Sequence, residues 1–338
     1  MATDGLRPGK LPPDLLAKLL ARLDRSDRRV IVGPQVGVDA AVIEFRPSNL
    51  IAKSDPVTLA SDLIGWYAVQ VNANDVAASG GTPRWFLATV LLPSGSAPAL
   101  AEQIFDQIKD AADGLGITLI GGHTEVTIGI ERPIVCGTML GEVAPGGNVT
   151  SAGARPGDRI LLTKGIAIEG TSVLARELSS RLGDAGVPRS TVQRAAALLQ
   201  DPGISVVEDA RTALSAGEVH AMHDPTEGGL ATALAEIATA SGCGVRIDAS
   251  AVEVLPECEE VCRALDVNPW GLLASGALLI AVPPDSSPPI LSALRSARIT
   301  AREIGQVTDQ PGRLELVIAG KASPLPVFAR DEVARLLG

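Results

Sequence analysis

Residues Leu63–Pro93 read LIGWYAVQVNANDVAASGGTPRWFLATVLLP, and the fold turns on how this stretch divides. From Asp62 to about Ser79 it is apolar on nearly every side, which predicts a helix buried all round rather than one lying on a surface. Asn72 and Asp75 interrupt that character and, three residues apart, share one helical face. Burying an amide beside a carboxylate is costly unless both find partners. A metal or ligand in a cleft would supply them, and so would an internal hydrogen-bonded polar pair. The second half, Trp85–Leu92, predicts a strand ending at Pro93.

Reading upstream, Ala40–Phe45 and Leu50–Lys53 are short strand-like runs. Before them Leu15, Leu16, Leu19, Leu20 and Leu23 recur at helical spacing, so Pro12–Leu23 predicts an amphipathic opening helix behind a mobile arm, Arg7–Lys10. Downstream come a helix over Ala97–Leu115, a buried strand over Ile117–Ile120 and another run over Ile134–Val143. The segment Ala144–Asp158, rich in Gly, Pro and Ala, reads as a domain boundary. Two domains are expected, 1–155 and 156–338. The second alternates strand Arg159–Thr163, a helix after Gly170, strand Glu218–Met222, helix Thr226–Ser241 and strand Gly244–Ile247, with later runs at Ala277–Val282 and Leu314–Ile318. The class is α/β, or α+β.

Composition supports two aliphatic cores. The 338 residues exceed the usual single-core size, and hydrophobic residues make up 46% while aromatics make up 2%. Ala, Val, Leu and Ile must therefore pack the interior, as layers of helix on sheet allow. The net charge of -10, from 29 basic and 39 acidic residues, comes without any Lys/Arg-rich block and argues against a nucleic-acid partner. An acidic chain that binds a polyphosphate needs a divalent cation between the two. The four cysteines are too sparse for a disulfide scaffold, and the N-terminus lacks a signal pattern, so a reducing cytoplasm is expected. The longest apolar stretch, Gly271–Val282, falls short of the roughly 20 residues a membrane span needs.

Four acidic residues stand in strand-end loops or in the apolar helix: Asp39 in VGVDAAVI, Asp55 in IAKSDPV, Asp75, and Glu125 in LIGGHTEVT. An Asp at a strand end is often a turn residue; clustered carboxylates would also suit a cation. In TLIGGHTEVT, Gly121 and Gly122 let the backbone approach a ligand or turn sharply. His123 and Glu125 alternate beyond them, as acid, base or metal ligand, or as a structural pair. In HDPTEGGLA, Asp224, Pro225 and Glu227 fit the N-cap, N1 and N3 positions of a capping box. Gly228 and Gly229 would weaken that first turn, so close packing or a phosphate at the helix end is needed to explain them. Lys164, at a second strand-to-helix junction, would neutralise phosphate or be an ordinary exposed lysine. Cys258 and Cys262, four apart on a helix, form a zinc set with His220 and His223 only without a recognised close spacing; inert buried thiols are the better expectation.

In order along nearly the whole chain, these segments resemble the aminoimidazole ribonucleotide (AIR) synthase-related, or PurM-like, superfamily. VGVDAAVI resembles its G-D-D-A-A-V element, KSDPV its T-D-x-x-V, and NANDVAASGGTPRWF its N-D-x-A-x-x-G-A-x-P. GGHTEVT and HDPTEGGLA resemble G-G-D-T-E-V and D-P-T-R-G-G-L-A of the hydrogenase-maturation branch, HypE, more than the thiamine-monophosphate kinase branch. The resemblance implies an N-terminal ATP- and magnesium-binding domain whose sheet forms a β-barrel with that of a second subunit in a homodimer, and a C-terminal α/β domain. It implies that Asp39, Asp55 and Asp75 hold metal or phosphates with Asn74 in support, that Gly121, Gly122, Thr124 and Glu125 line the site, and that Asp224 and Thr226 close it. Asp75, His123 and Glu125 are the expected catalytic groups. Lys164, Gly228 and Gly229 are expected at the nucleotide.

Three departures stand out: Val38 for the first Asp of D-D, His123 for the Asp of G-G-D-T, and Glu227 for an Arg. The chain also ends DEVARLLG, without the C-terminal cysteine that carries the HypE substrate. The expected activity is ATP-dependent phosphoryl transfer that activates a carbonyl or amide oxygen on a small molecule or a partner protein. A small-molecule kinase and a non-catalytic nucleotide-binding accessory protein are the alternatives.

Overall fold

The structure is a computed structural model that describes residues 14, 17, 28–33, 35–38, 40–58 and 62–337. Of the expected opening helix only Asp14 and Ala17 are among them. The arm at Arg7–Lys10 and the candidate ligand Asp39 lie outside the described residues. The chain divides into two compact units, one centred on Asp39–Asn148 and one running from Val149 onward.

In the first unit six strands form one sheet: β1 (Val30–Val32), β2 (Ala41–Phe45), β3 (Ser48–Val57), β4 (Thr82–Pro93), β5 (Thr118–Thr127) and β6 (Ile134–Val143). Their order is β1-β2-β3-β6-β4-β5. Only β4 and β5 are parallel neighbours, because a helical crossover, α2 (Pro98–Gly114), joins them. The helix expected from LIGWYAVQVNANDVAA forms as α1 (Ile64–Ala78), with every residue buried except Trp66 and Val71. It lies so close to the sheet that a side chain at Gly137 of β6 would collide with the Asn72 amide and Phe86. The opposite face of the sheet is only half-buried. There Leu50, Ala52, Leu87, Leu91, Cys136 and Leu140 alternate with the buried positions.

The second unit holds a seven-stranded sheet of β7 (Arg159–Thr163), β8 (Ala221–His223), β9 (Gly244–Asp248), β10 (Leu279–Val282), β11 (Ala301–Thr308), β12 (Leu314–Ile318) and β13 (Lys321–Pro324). The order is β13-β12-β9-β11-β7-β10-β8. Its helices are α3 (Ile168–Glu177), α4 (Ser179–Asp184), α5 (Arg189–Ala197), α6 (Val207–Ala216), α7 (Gly229–Ser241), α8 (Pro256–Leu265), α9 (Ser287–Ser296) and α10 (Glu332–Leu337). Leu230, Leu234 and Ile237 of α7 pack on Ile160, Val245 and Leu279 of the sheet, while α3 and α8 share a second cluster through Leu174, Val261 and Leu265. Both cores are aliphatic, as the composition required. All four cysteines are free thiols. Among the described residues no helix is long and apolar enough to cross a membrane.

Candidate functional site

Asp55 lies inside β3, opposite Gly137 of β6, and not in a loop at the strand's end. The strand runs on because Asn72 of α1 completes its hydrogen bonding. β2 stops opposite Ala52, and beyond that point the Asn72 Oδ1 accepts from the Asp55 N–H at 2.9 Å while its Nδ2 donates to the Asp55 carbonyl at 3.3 Å and to that of Ala68 at 2.8 Å. Asn72 thus finds its partners internally, and it latches α1 to the backbone that carries Asp55. Asn74, on the same helix, is fully buried.

One turn beyond Asn72, Asp75 is buried and faces β3. The Lys53 ammonium stands between the two carboxylates, 3.2 Å from Oδ2 of Asp75 and 3.2 Å from Oδ2 of Asp55. Strand alternation places Lys53 and Asp55 on one face, and the Lys53 side chain is 13% exposed against 45% for Asp55. Sequence reasoning passed over Lys53, although its spacing of two from Asp55 was the available signal. The three groups form a built cation site of which this chain supplies the cation.

The second group of predicted residues lies on β5, separated from β3 by β6 and β4, or about 14 Å at ordinary strand spacing. β5 continues to Thr127 instead of ending at Ile120. A bulge at Ile120 shifts its register against β4, and Gly122 then lies against the Ala88 carbonyl with no room for a Cβ. The close approach at Gly122 is thus to a neighbouring strand, whereas a Cβ at Gly121 would meet nothing within 4 Å. His123 and Glu125 pair on the exposed edge, Nε2 to Oε2 at 3.1 Å. A cavity of about 370 Å³ opens beside them, lined by Phe105, Ile108, Leu119, Gly122, His123 and Thr124.

In the second unit α7 begins at Gly229, with Gly228 as a left-handed N-cap and no side-chain cap. The capping box expected from Asp224, Pro225 and Glu227 does not form. Both glycines have positive φ, 79° and 65°, and a Cβ on Gly229 would stand 2.5 Å from the Trp270 carbonyl oxygen, so packing dictates the second glycine. The Thr226 carbonyl accepts from Gly229 and Ala274 at 3.1 and 3.3 Å. Asp224 is buried nearby in sequence. The Gly228 N–H donates to Asp331 Oδ2 at 2.7 Å, and Oδ1 of the same carboxylate accepts from Val333 at 2.7 Å. A carboxylate of the chain itself thus stands at this turn.

Burial pushes the Asp331 carboxyl up to about 6 against the pull of those backbone N–H groups. Glu169, fully enclosed and hydrogen-bonded to Ser275, is pushed up to about 7, chiefly by burial and further by Asp331 and Glu227. Sequence reasoning singled out neither Glu169, whose partner Ser275 is far away along the chain, nor Asp331, whose partner Gly228 is too. Lys164 is also buried, donating to the Ser205 carbonyl at 2.5 Å and lying 3.3 Å from Asp209 Oδ1. Burial lowers its pKa, partly offset by Asp209.

The two histidines near Asp224 are engaged by carboxylates, His220 by Asp158 and Glu218, His223 by Glu236 with Ser151 on its other nitrogen. Cys258 and Cys262 are pushed up to about 11 and about 12 by burial, as inert thiols are. Among the described residues no group of three or more His, Cys, Asp or Glu side chains is arranged to hold a metal.

A two-domain PurM-like α/β protein is what these sheets define. Models of the AIR synthase related protein N-terminal and C-terminal domains match residues 37–143 and 155–317. The chain is 30% identical over 258 residues to carbamoyl dehydratase HypE of Cupriavidus necator, spanning 73% of this chain and 68% of that one. It is 30% identical over 278 residues to selenide, water dikinase of Nitratidesulfovibrio vulgaris, spanning 79% and 73%. The crystal structure of hydrogenase maturation protein HypE in complex with ATP has the same fold, with a TM-score of 0.73 at 23% identity over 93% of this chain and 91% of that one. The chain belongs to the AIR synthase-related family and is HypE-like within it. Its α10 helix, EVARLL, contains no cysteine.

Proposed function

We propose that this protein binds ATP with magnesium and transfers the γ-phosphoryl group to a carbonyl or amide oxygen of a small molecule or a partner-borne group. The observation that carries this reading is the convergence of Asp55 and Asp75, from β3 and α1, on a single positive centre. Hard carboxylate oxygens suit magnesium, and their convergence on the Lys53 ammonium shows that both can face one cation at once. In this reading Asp55 and Asp75, with Asp39, hold the metal, and Asn74 supports them. Magnesium, when bound, supplies neutralisation of phosphate charge.

Gly121, Gly122 and Thr124 line the acceptor side beside the cavity. There His123, oriented by Glu125, can take a proton from the acceptor. Asp224, Thr226, Gly228 and Gly229, within the second unit, are proposed to contact nucleotide. Lys164, the buried partner of Asp209 in that unit, is the proposed cation for phosphate there. The ATP-bound relative and the dikinase support nucleotide-dependent phosphoryl transfer, while the carbamoyl dehydratase supports a carbonyl-type acceptor.

Asp75→Asn is expected to keep the fold and to lose roughly tenfold or more in magnesium-dependent ATP affinity, since the charge it removes faces the metal directly. Calorimetry that finds wild-type affinity in the folded variant would refute the reading. The non-catalytic accessory reading is favoured by Lys53 itself, which fills the cation position; ATP turnover by the purified protein rejects it.

We also propose a homodimer, in which the half-buried sheet face and the β5 edge pair with a second copy as a barrel. Ile120 and Val126 are exposed along that edge, and open edges with apolar residues invite pairing. A monomer mass by light scattering at micromolar concentration would rule it out.

A further inference from the structure

We infer that Lys53 couples metal binding to nucleotide binding, by holding Asp55 and Asp75 closed to a metal ion until a phosphate draws its ammonium away. The inference rests on the ATP reading above and deepens it. The Lys53 ammonium has contact distances of 3.2 Å to both carboxylates, so a metal ion can reach neither without meeting a positive charge beside it. An opposite charge this close changes a carboxylate's affinity for a proton by one to three powers of ten, and the same Coulomb term opposes a metal cation.

Lysine suits a handover. Its charge is a point at the end of a flexible four-carbon stem with three donors, so a phosphate oxygen entering beside Asp55, the more exposed of the two carboxylates, can replace a carboxylate oxygen as its partner. The metal that the phosphate brings then takes the ammonium's place beside the two carboxylates. Metal alone is excluded, and metal with nucleotide is admitted. Because coupling is reciprocal, each ligand tightens the other by the same factor. A purely structural ion pair would hold α1 to β3 without any such coupling.

The test is to titrate Mn²⁺ alone into the wild-type protein, Lys53→Met and Lys53→Arg, following free Mn²⁺ by electron paramagnetic resonance, and then to repeat the titrations with ATP present. Lys53→Met should bind Mn²⁺ alone at least about tenfold more tightly than wild type, and Lys53→Arg should stay weak. ATP should tighten Mn²⁺ binding in the wild type by a larger factor than in Lys53→Met. A folded Lys53→Met protein whose Mn²⁺ affinity is unchanged or weaker overturns the role of Lys53, whether or not ATP binds. Should Lys53→Met unfold without metal, recovery of the native circular dichroism spectrum on adding Mn²⁺ supports the inference and no recovery overturns it. Wild-type protein that binds no ATP in the presence of Mn²⁺ removes the nucleotide reading, and the coupling with it, while the Mn²⁺-alone comparison still decides whether Lys53 blocks the metal.

Discussion

In the first unit Asp75 is buried within 3.2 Å of the Lys53 ammonium, whereas in the second unit Glu169 and Asp331 are buried with Glu227 and each other as their acidic neighbours. The same residue type meets two environments. A carboxylate beside an ammonium has a compensating charge, while one enclosed among apolar atoms and other acids holds its proton to higher pH. The first arrangement gathers two carboxylates around one cation. The second is a clamp: Asp331 ties Gly228 and Val333 together and holds the turn before α7. Lys164 and Asp209 show a third outcome, a cation–anion pair that is almost wholly enclosed.

Breaking the first arrangement should have the largest effect on stability. Lys53→Met removes the ammonium 3.2 Å from the buried Asp75 and should cost about 3 kcal/mol, as loss of one partner of a buried pair does. Adding Asp75→Asn should recover part of that loss, so the double variant falls short of the sum of the singles. Urea denaturation of the metal-free proteins gives all three values, and strictly additive losses would show that the pair is not coupled.

The second arrangement is tested by pH. The folded Glu169 value, about 7, lies above the ordinary 4.5, so the folded protein binds the extra proton between those limits. Its contribution is fully present below about 4.5 and is lost as pH rises through 7, a difference of roughly 3 kcal/mol at most. Glu169→Gln should therefore be the more stable protein at pH 8, by about 2 kcal/mol, with little difference near pH 5. Unfolding curves at both values check this; parallel pH dependence in variant and wild type would mean that Glu169 ionises freely in the fold.

Much of this was legible beforehand where the signal was local. Ile134–Val143, Arg159–Thr163 and Leu314–Ile318 form strands at the predicted bounds, because short runs of β-branched and apolar residues between breakers say so directly. β11 and α9 were not read. AREIGQVT carries too many polar residues to look like a strand, yet it pairs with β7 and β9 on its two sides. SPPILSALRS looks like a loop until its prolines are recognised as first-turn residues.

At the candidate site the balance is similar. Asn72 and Asp75 on an apolar helix announced a buried polar feature, and the family followed from motifs in order along the chain. Sequence by itself determined the aliphatic two-unit build, the buried α1 and the carboxylates Asp55 and Asp75, since composition, periodicity and motif spacing are properties of neighbouring residues. Only the tertiary structure decided that Lys53 sits between those carboxylates, that Asn72 spends its amide on the Asp55 backbone, that Thr232 and Trp270 leave no room for side chains at the paired glycines, and that Glu169 is enclosed among acids. Each of these depends on which distant segments the packing brings within 3 to 4 Å, and such contacts leave no periodic trace in the chain.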